Sequence, residues 1–340
     1  MTKPGESSPR LFARMLPGIL ISALALVILF FFIDINQVAA AFSQANFSWV
    51  PVAALLFLGA VAIRAKAWRT LLEEQVSFKD SFLALNQGYL LNNVLPFRLG
   101  ELGRALLLGQ RSGLGFWRVF STIVVERIFD VGFAAGLLLV SLPLFVDLSW
   151  IRSAAFFAGA LVVMGFGLLF ALAANPVAFL RLISALTRPW PRLQSWVGKK
   201  LAAFTEGLAA LKSGLRFLTV SFWMALAWAF NLAWYFALMF AFFPEPQFIW
   251  TVVAVALGSL GVALPSSPGY IGVLEGAVVA GLSLFGIEPS LALAYAIAAH
   301  ALYFVMTGVG GAIGFAGQGE SLGHVYRQLL TRSSMTQGEG

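Results

Sequence analysis

Leu95-Pro96-Phe97-Arg98-Leu99-Gly100-Glu101-Leu102-Gly103 and Leu264-Pro265-Ser266-Ser267-Pro268-Gly269-Tyr270-Ile271-Gly272 share one frame, L-P-x-x-x-G-x-x-G. With 14 Pro and 33 Gly in 340 residues, its P-x-x-x-G-x-x-G core is expected roughly 0.1 times by chance. It occurs twice, interrupting two long apolar segments, Phe78 to Gln110 and Phe248 to Phe285. Each half-segment is about 12–18 residues, which suits a broken or re-entrant helix better than a clean crossing. After each break a helical half leads to Gly113-Leu114 or Gly286-Ile287 and then to a full span.

Working outward, the other apolar runs are Leu16 to Ile33, Phe47 to Ile63, Val119 to Phe145, Ser153 to Ala174, Phe217 to Phe243 and Ser290 to Ala316. Each approaches or exceeds the ~17–25 residues that cross hydrocarbon. The first has a basic start and Ala39-Ala40-Ala41 behind it, yet is longer than a signal core of ~7–15 residues, so it reads as an uncleaved span. The chain is 60% apolar and only 11% charged, outside the soluble class. The fold class is therefore all-α: a polytopic helical membrane protein with about six full spans and two broken pairs. No stretch is polar enough to cover a fused soluble enzyme domain. The absence of cysteine excludes disulfides and thiolate chemistry, and two histidines exclude a multi-histidine metal centre.

Charge orients the spans. Arg64, Lys66, Arg69 and Lys79 follow the second span, Arg104, Arg111 and Arg118 precede the third, and seven bases from Arg181 to Arg216 lie between the fourth and fifth. The opposite loops hold Asp34, Asp147, Glu245 and Glu288. This asymmetry places both termini in the cytosol, and it accounts for the net charge of +7 without nucleic acid. Residues 1–14 form a cytosolic lead, 15–316 one transmembrane domain, 175–216 a cytosolic amphipathic connection and 317–340 a disordered cytosolic tail. Within the connection, Leu193, Val197, Leu201, Phe204, Leu208, Leu211 and Leu215 recur at helical spacing, which predicts a helix lying on the inner membrane surface.

The first break then has cytosolic flanks and the second has outer ones, the plan of an inverted-topology repeat. A break in hydrocarbon leaves backbone groups unpaired unless it is buried in protein or faces a wet cavity. The half-helices that follow offer N-terminal N–H groups to an anion. Ser267 as N-cap with Pro268 at the first helical position would start the second half-helix. The other reading is that proline and glycine only kink ordinary spans. Gly269, Gly272 and Gly276 look like a small-residue packing face, and Gly308-Val309-Gly310-Gly311 reads as close helix packing.

Charges inside the spans cost ~2.5–3.5 kcal/mol each if unpaired at the bilayer centre. Arg98, Glu101 and Arg104 lie at the first break, Glu126, Arg127 and Asp130 in the third span, and Glu275 after the second break. Arg98 and Arg127 are candidates to hold a phosphate through their planar forks. Glu101, Glu126 and Asp130 serve either the substrate or a buried salt-bridge network. Arg104 and Arg111 read as snorkelling residues. Glu275 is a candidate proton carrier or a packing carboxyl. His300 and Asn231 read as cross-helix hydrogen-bonding residues, with His300 placed in its repeat as Glu126 is in the other. The candidate substrate-binding set is Arg98, Glu101, Arg104, Glu126, Arg127, Asp130, Glu275 and His300 together with Asn92, Asn93, Pro96, Gly100, Pro265, Ser266, Ser267, Pro268 and Gly269. No ATP-binding loop, zinc-protease motif or nucleophile elbow occurs, so no catalytic activity and no cofactor are expected.

The stretch from Asn92 to Arg104, Val125-Glu126-Arg127-Ile128-Phe129-Asp130, and Pro265 to Glu275 together resemble the transmembrane region of the lysylphosphatidylglycerol synthase family. The resemblance covers roughly residues 12–316. It implies a lipid flippase-like protein of the bacterial inner membrane that binds and moves an anionic or phosphate-bearing lipid. In bifunctional members a soluble aminoacyl-transferase domain follows this region; here the sequence stops at Gly340. Three functions stay open: a flippase, a non-transporting membrane partner of a lipid-biosynthesis enzyme that docks through 181–216, and an intramembrane lipid-modifying enzyme. Membrane lipids are the expected partners, and homo-oligomers are compatible with the sequence.

The cysteine-free chain allows a direct check of topology. Single cysteines at positions 34, 147 and 245 should react with a membrane-impermeant thiol reagent in intact cells, and one at position 190 only after lysis. Labelling of 190 in intact cells would overturn the inverted arrangement.

Overall fold

A computed structural model describes residues 20, 22–29, 31–95, 98–141, 149–263, 267–320, 323, 325 and 328. Residues 22–29 form α1, followed by α2 (Ile35–Gln44), α3 (Val50–Leu71), α4 (Phe78–Val94), α5 (Leu99–Arg111), α6 (Phe116–Ser141) and α7 (Ser149–Ala174). Then come α8 (Pro176–Leu186), α9 (Pro191–Gly207), α10 (Gly214–Met239), α11 (Phe248–Ala263), α12 (Val273–Ser283) and α13 (Pro289–Gln318). No strand occurs among the described residues.

Local chemistry sets the boundaries. Ser77 accepts the Asp80 N–H at the start of α4, and Ser213 does the same for Arg216 at α10. Pro289 stands in the first turn of α13 and Gly319 closes it in the left-handed region at φ 67°. Glu288 caps α13 by accepting from the Ser290 and Leu291 N–H groups. Burial, which alone would raise the Glu288 carboxyl, is outweighed by those donors, so it lies below the usual carboxylate range.

Among the described residues, three helices are long and apolar enough to cross a membrane: Phe47–Leu71, Gly214–Met239 and Pro289–Gln318. α6 has the length, 26 residues, but holds Arg118, Glu126, Arg127 and Asp130. α7 meets α8 at a bend of 96°. Of the expected first span, only residues 22–29 and Leu20 are described as helix.

α3 and α10 form the central pair and run antiparallel. The Asn46 N–H before α3 donates to the Ala241 carbonyl after α10 (2.8 Å), and Arg216 at the start of α10 pairs with Glu73 beyond the end of α3. Around this pair the packing repeats: α4 lies on α5, α5 on α6 and α4 on α13, while α11 lies on α12, α12 on α13 and α11 on α6. Each half thus embraces the full span of the other, as expected of α3–α6 and α10–α13 related by inversion.

Glycine makes the closest approaches. A Cβ on Gly100 would sit 2.0 Å from the Gly88 carbonyl oxygen, so α4 and α5 touch backbone to backbone. Gly310, Gly311 and Gly314 let α13 pack closely on Asn86, Leu90 and Gln87 of α4, where a Cβ would lie 2.5, 2.3 and 2.9 Å from their side chains. The expected glycine face after the second break does not form. Gly269 meets Phe304 of α13, Gly272 meets Ser22 and Leu26 of α1, and Gly276 meets nothing within 4 Å.

Two expectations about the polar regions change. The basic connection is two helices, α8 and α9, because Pro191 begins a new one after a turn at 187–190. α9 ends docked on α6, where a Cβ on Gly207 would lie 1.9 Å from Ser121 Oγ. The segment after α13 is not wholly free of the fold: Val325 is buried with Leu91, Leu95, Leu107 and Phe315. Most of 317–340 lies outside the described residues.

Gly100→Ala should push α4 and α5 apart and lower thermal stability in detergent by about 1–3 kcal/mol or more. Gly136→Ala in α6, where a Cβ meets nothing within 4 Å, should leave stability unchanged or slightly raised.

Candidate functional site

At the centre of the site is Glu126, a carboxylate on α6 whose side chain is 1% exposed. Three guanidiniums reach its Oε1: Arg64 Nε at 2.8 Å, Arg104 Nη2 at 3.2 Å and Arg127 Nη2 at 2.8 Å. Arg104 Nη1 also donates to Oε2 at 3.2 Å. One turn on, Asp130 Oδ2 pairs with Arg64 and with Arg127 (3.1 Å), and its Oδ1 accepts from Trp228 Nε1 at 3.1 Å. Glu101 on α5 reaches Arg127 Nη1 at 3.5 Å.

Arg104 corrects one expectation. It does not snorkel: it is buried, bonded to Glu126, with its guanidinium 4.7 Å from the Trp68 ring centre and its stem against Gly88. Arg111 stays at the surface beside Asp80. Arg64, read from sequence as a cytosolic flank, belongs to this network. The signal for it was the buried stripe of α3, where Phe57, Val61, Ala65 and Trp68 recur at helical spacing around Arg64.

Arg98 is held differently. Among the described residues its ion-pair contact is Nε to Glu101 Oε1 at 3.9 Å, beyond hydrogen-bond reach; its Nε is buried without a bond partner there, while the guanidinium hydrogen-bonds the Tyr270 side chain. Its backbone is left-handed, φ 56°, as is that of Tyr270 at φ 64°. The guanidinium lies 5.7 Å from the Tyr270 ring centre. The two breaks, one from each half, therefore meet through two side chains carried on strained backbone.

Between the halves lies a cavity of about 420 Å³ whose lining includes Arg64, Arg98, Arg127, Asp130, Trp228, Asn231, Tyr235, Ser259, Tyr270 and Tyr303. Of the candidate residues, Arg98, Arg127 and Asp130 line it. Among the described residues, four guanidiniums (Arg64, Arg98, Arg104, Arg127) face three carboxylates (Glu101, Glu126, Asp130), so one positive charge is in excess there.

The remaining candidates have structural tasks away from the cavity. Asn92 Oδ1 accepts the Gly100 N–H at 2.8 Å and so caps α5, and Asn93 Nδ2 bonds Thr307 Oγ1 on α13 at 2.8 Å. Glu275 Oε2 accepts the Gly272 N–H at 2.7 Å and caps α12; its Oε1 lies 2.5 Å from His300 Nδ1. At each break one backbone N–H, that of Gly100 and that of Gly272, is thus held by a protein side chain. Ser267 and Pro268 start only a short 3-10 turn, without a side-chain cap, and α12 begins at Val273. The Ser267 N–H donates to Ser22 Oγ of α1 at 3.1 Å. Gly269 packs under Phe304 rather than opening toward lipid. Pro96, Pro265 and Ser266 lie outside the described residues. Glu275 with His300 stands in its half as Arg104 with Glu126 does in the other, each pair joining a half-helix to the span after it.

The family model for the lysylphosphatidylglycerol synthase transmembrane region matches residues 15–311. The chain belongs to that family. Among its relatives is a UPF0104 membrane protein of Methanothermobacter thermautotrophicus, 24% identical over 86% of this chain and 90% of that one. Another is the glycosyltransferase AglD of Haloferax volcanii, 26% identical over 89% of this chain but only 54% of that one, so the chain spans about half its length. No solved structure matches. The match and the apolar helices make this a multi-pass membrane protein.

Removing the central carboxylate tests the network. Glu126→Gln should cost about 3–5 kcal/mol, because it leaves three buried guanidiniums undercompensated. Arg98→Gln, which breaks no close ion pair, should unfold in detergent near the wild-type temperature.

Proposed function

We propose that the protein binds and translocates an anionic, phosphate-bearing lipid, with Arg98 as the group that holds the phosphate. The observation that carries this reading is the cavity where the two breaks meet, with one guanidinium not committed to a close carboxylate. Arg64, Arg104 and Arg127 are tied to Glu126 or Asp130 and supply background positive potential. Arg98 keeps donors for a bidentate phosphate contact. A cavity of about 420 Å³ falls within the ~300–1,000 Å³ of small-ligand sites, so it would take a head group while the acyl chains stay in the bilayer. The inverted halves supply the two-fold design on which alternating access is built. Residence in the inner membrane with cytosolic termini belongs to the same proposal and rests on the charge asymmetry of the loops.

A second reading has one observation in its favour. The chain covers about half of a relative named a glycosyltransferase. This kind of region is therefore joined elsewhere to further sequence, and this protein would position a lipid-modifying enzyme without moving lipid itself.

Purified protein in liposomes with a fluorescent anionic phospholipid decides between them: movement between leaflets is expected of a transporter and no movement of a positioning partner. In that assay Arg98→Lys should lose about tenfold or more in rate with unchanged folding, since an ammonium cannot reproduce the fork. Wild-type movement by the Lys variant would remove Arg98 as the clamp.

A further inference from the structure

The charges around the cavity specify more than a phosphate. Among the described lining residues the ionised groups are Arg64, Arg98, Arg127 and Asp130. Both oxygens of Asp130 are engaged, Oδ1 by Trp228 and Oδ2 by Arg64 and Arg127. No carboxylate with an open oxygen is therefore offered on the described wall, and an ammonium on the ligand would meet guanidiniums instead. The polar groups that α10 and α11 bring to the cavity are uncharged: Asn231, Tyr235 and Ser259. Asn231 Oδ1 accepts from Trp234 Nε1 at 2.9 Å, and its Nδ2 keeps a pair of N–H donors. Ser259 adds a hydroxyl, and a hydroxyl both donates and accepts.

Building on the lipid-binding reading above, we infer that the site selects a lipid with one net negative charge, a phosphodiester, whose remaining head group is an uncharged alcohol such as a polyol or sugar. The single excess guanidinium matches a single phosphate charge; a second negative charge would go uncompensated, and a positive one would be repelled. The alcohol hydroxyls take the Asn231 and Ser259 positions. Selection of this kind comes as much from repelling wrong ligands as from holding the right one.

The test uses the full-length wild type in nanodiscs containing equal amounts of phosphatidylglycerol, phosphatidic acid, phosphatidylethanolamine and lysylphosphatidylglycerol with matched chains. Lipids that stay bound are read by native mass spectrometry. Phosphatidylglycerol should be retained about tenfold over each of the others, a difference of ~1.4 kcal/mol. Equal or greater retention of phosphatidylethanolamine or lysylphosphatidylglycerol would overturn the charge selection while leaving lipid binding intact. Phosphatidic acid at the level of phosphatidylglycerol would overturn the role of the alcohol. Retention of no lipid would overturn the underlying binding reading as well. Ser259→Asp adds an open carboxylate to the wall and should shift the ratio toward lysylphosphatidylglycerol by about tenfold. If that variant is poorly folded, Asn231→Asp takes its place; an unchanged ratio in the folded variant would overturn electrostatic selection.

Discussion

A carboxylate in the middle of a membrane span cannot stand alone, and the packing around Glu126 follows from that constraint. Its charge is compensated by Arg64 from α3, Arg104 from α5 and a neighbour on its own helix, Arg127. These contacts tie the first half-helix pair to the central α3–α10 pair and to α6. In a medium without water the network is favourable only when every member is partnered, so it fixes the rotation of each helix as firmly as apolar packing does. Arg104 reaches Glu126 because Gly88 leaves room for its stem, and Asn92 accepts the N–H of Gly100, which lies against Gly88. Small residues and charge placement act as one design.

The second half solves the same problem with weaker groups. Glu275 and His300 join α12 to α13 as Arg104 and Glu126 join α5 to α6, and Glu275 also caps its own helix. The Gly100 and Gly272 N–H groups are thus bonded within the protein, and arginine side chains bring positive charge to the cavity. What faces the cavity is Arg98 and Tyr270, each on left-handed backbone, where non-glycine residues are uncommon. Holding both there requires the surrounding helices to overdetermine the turn, and the packing of α4 on α13 and of α1 across the second break supplies that restraint.

Much of this was legible in the sequence. Length and hydropathy of the apolar runs, the duplicated L-P-x-x-x-G-x-x-G frame and the loop charges define a helical membrane protein of two opposed halves. Each of these signals is local: a helix must be long enough for the bilayer, and proline must end it. The family, too, is written in three short motifs. The glycines of α13 read correctly as packing residues, since small side chains at close spacing have few other uses in a span.

The roles of individual charges were decided only by tertiary structure. Arg64 looked like a loop-flanking base and Arg104 like a snorkelling one, because sequence gives a residue's position along its helix and not the direction of a neighbour's carboxylate. That Asn92 accepts the Gly100 N–H and Glu275 the Gly272 N–H could not be read from the sequence either. Arg98 stands apart from the other arginines for a reason no local pattern holds: among the described residues four guanidiniums from four parts of the chain converge on three carboxylates, and the distances leave this one without a close carboxylate. The sequence by itself determined the membrane class, the two-fold plan and the inventory of charges. Which of those charges cancel and which one faces the cavity depends on through-space distances between segments remote in the chain, and only folding sets those.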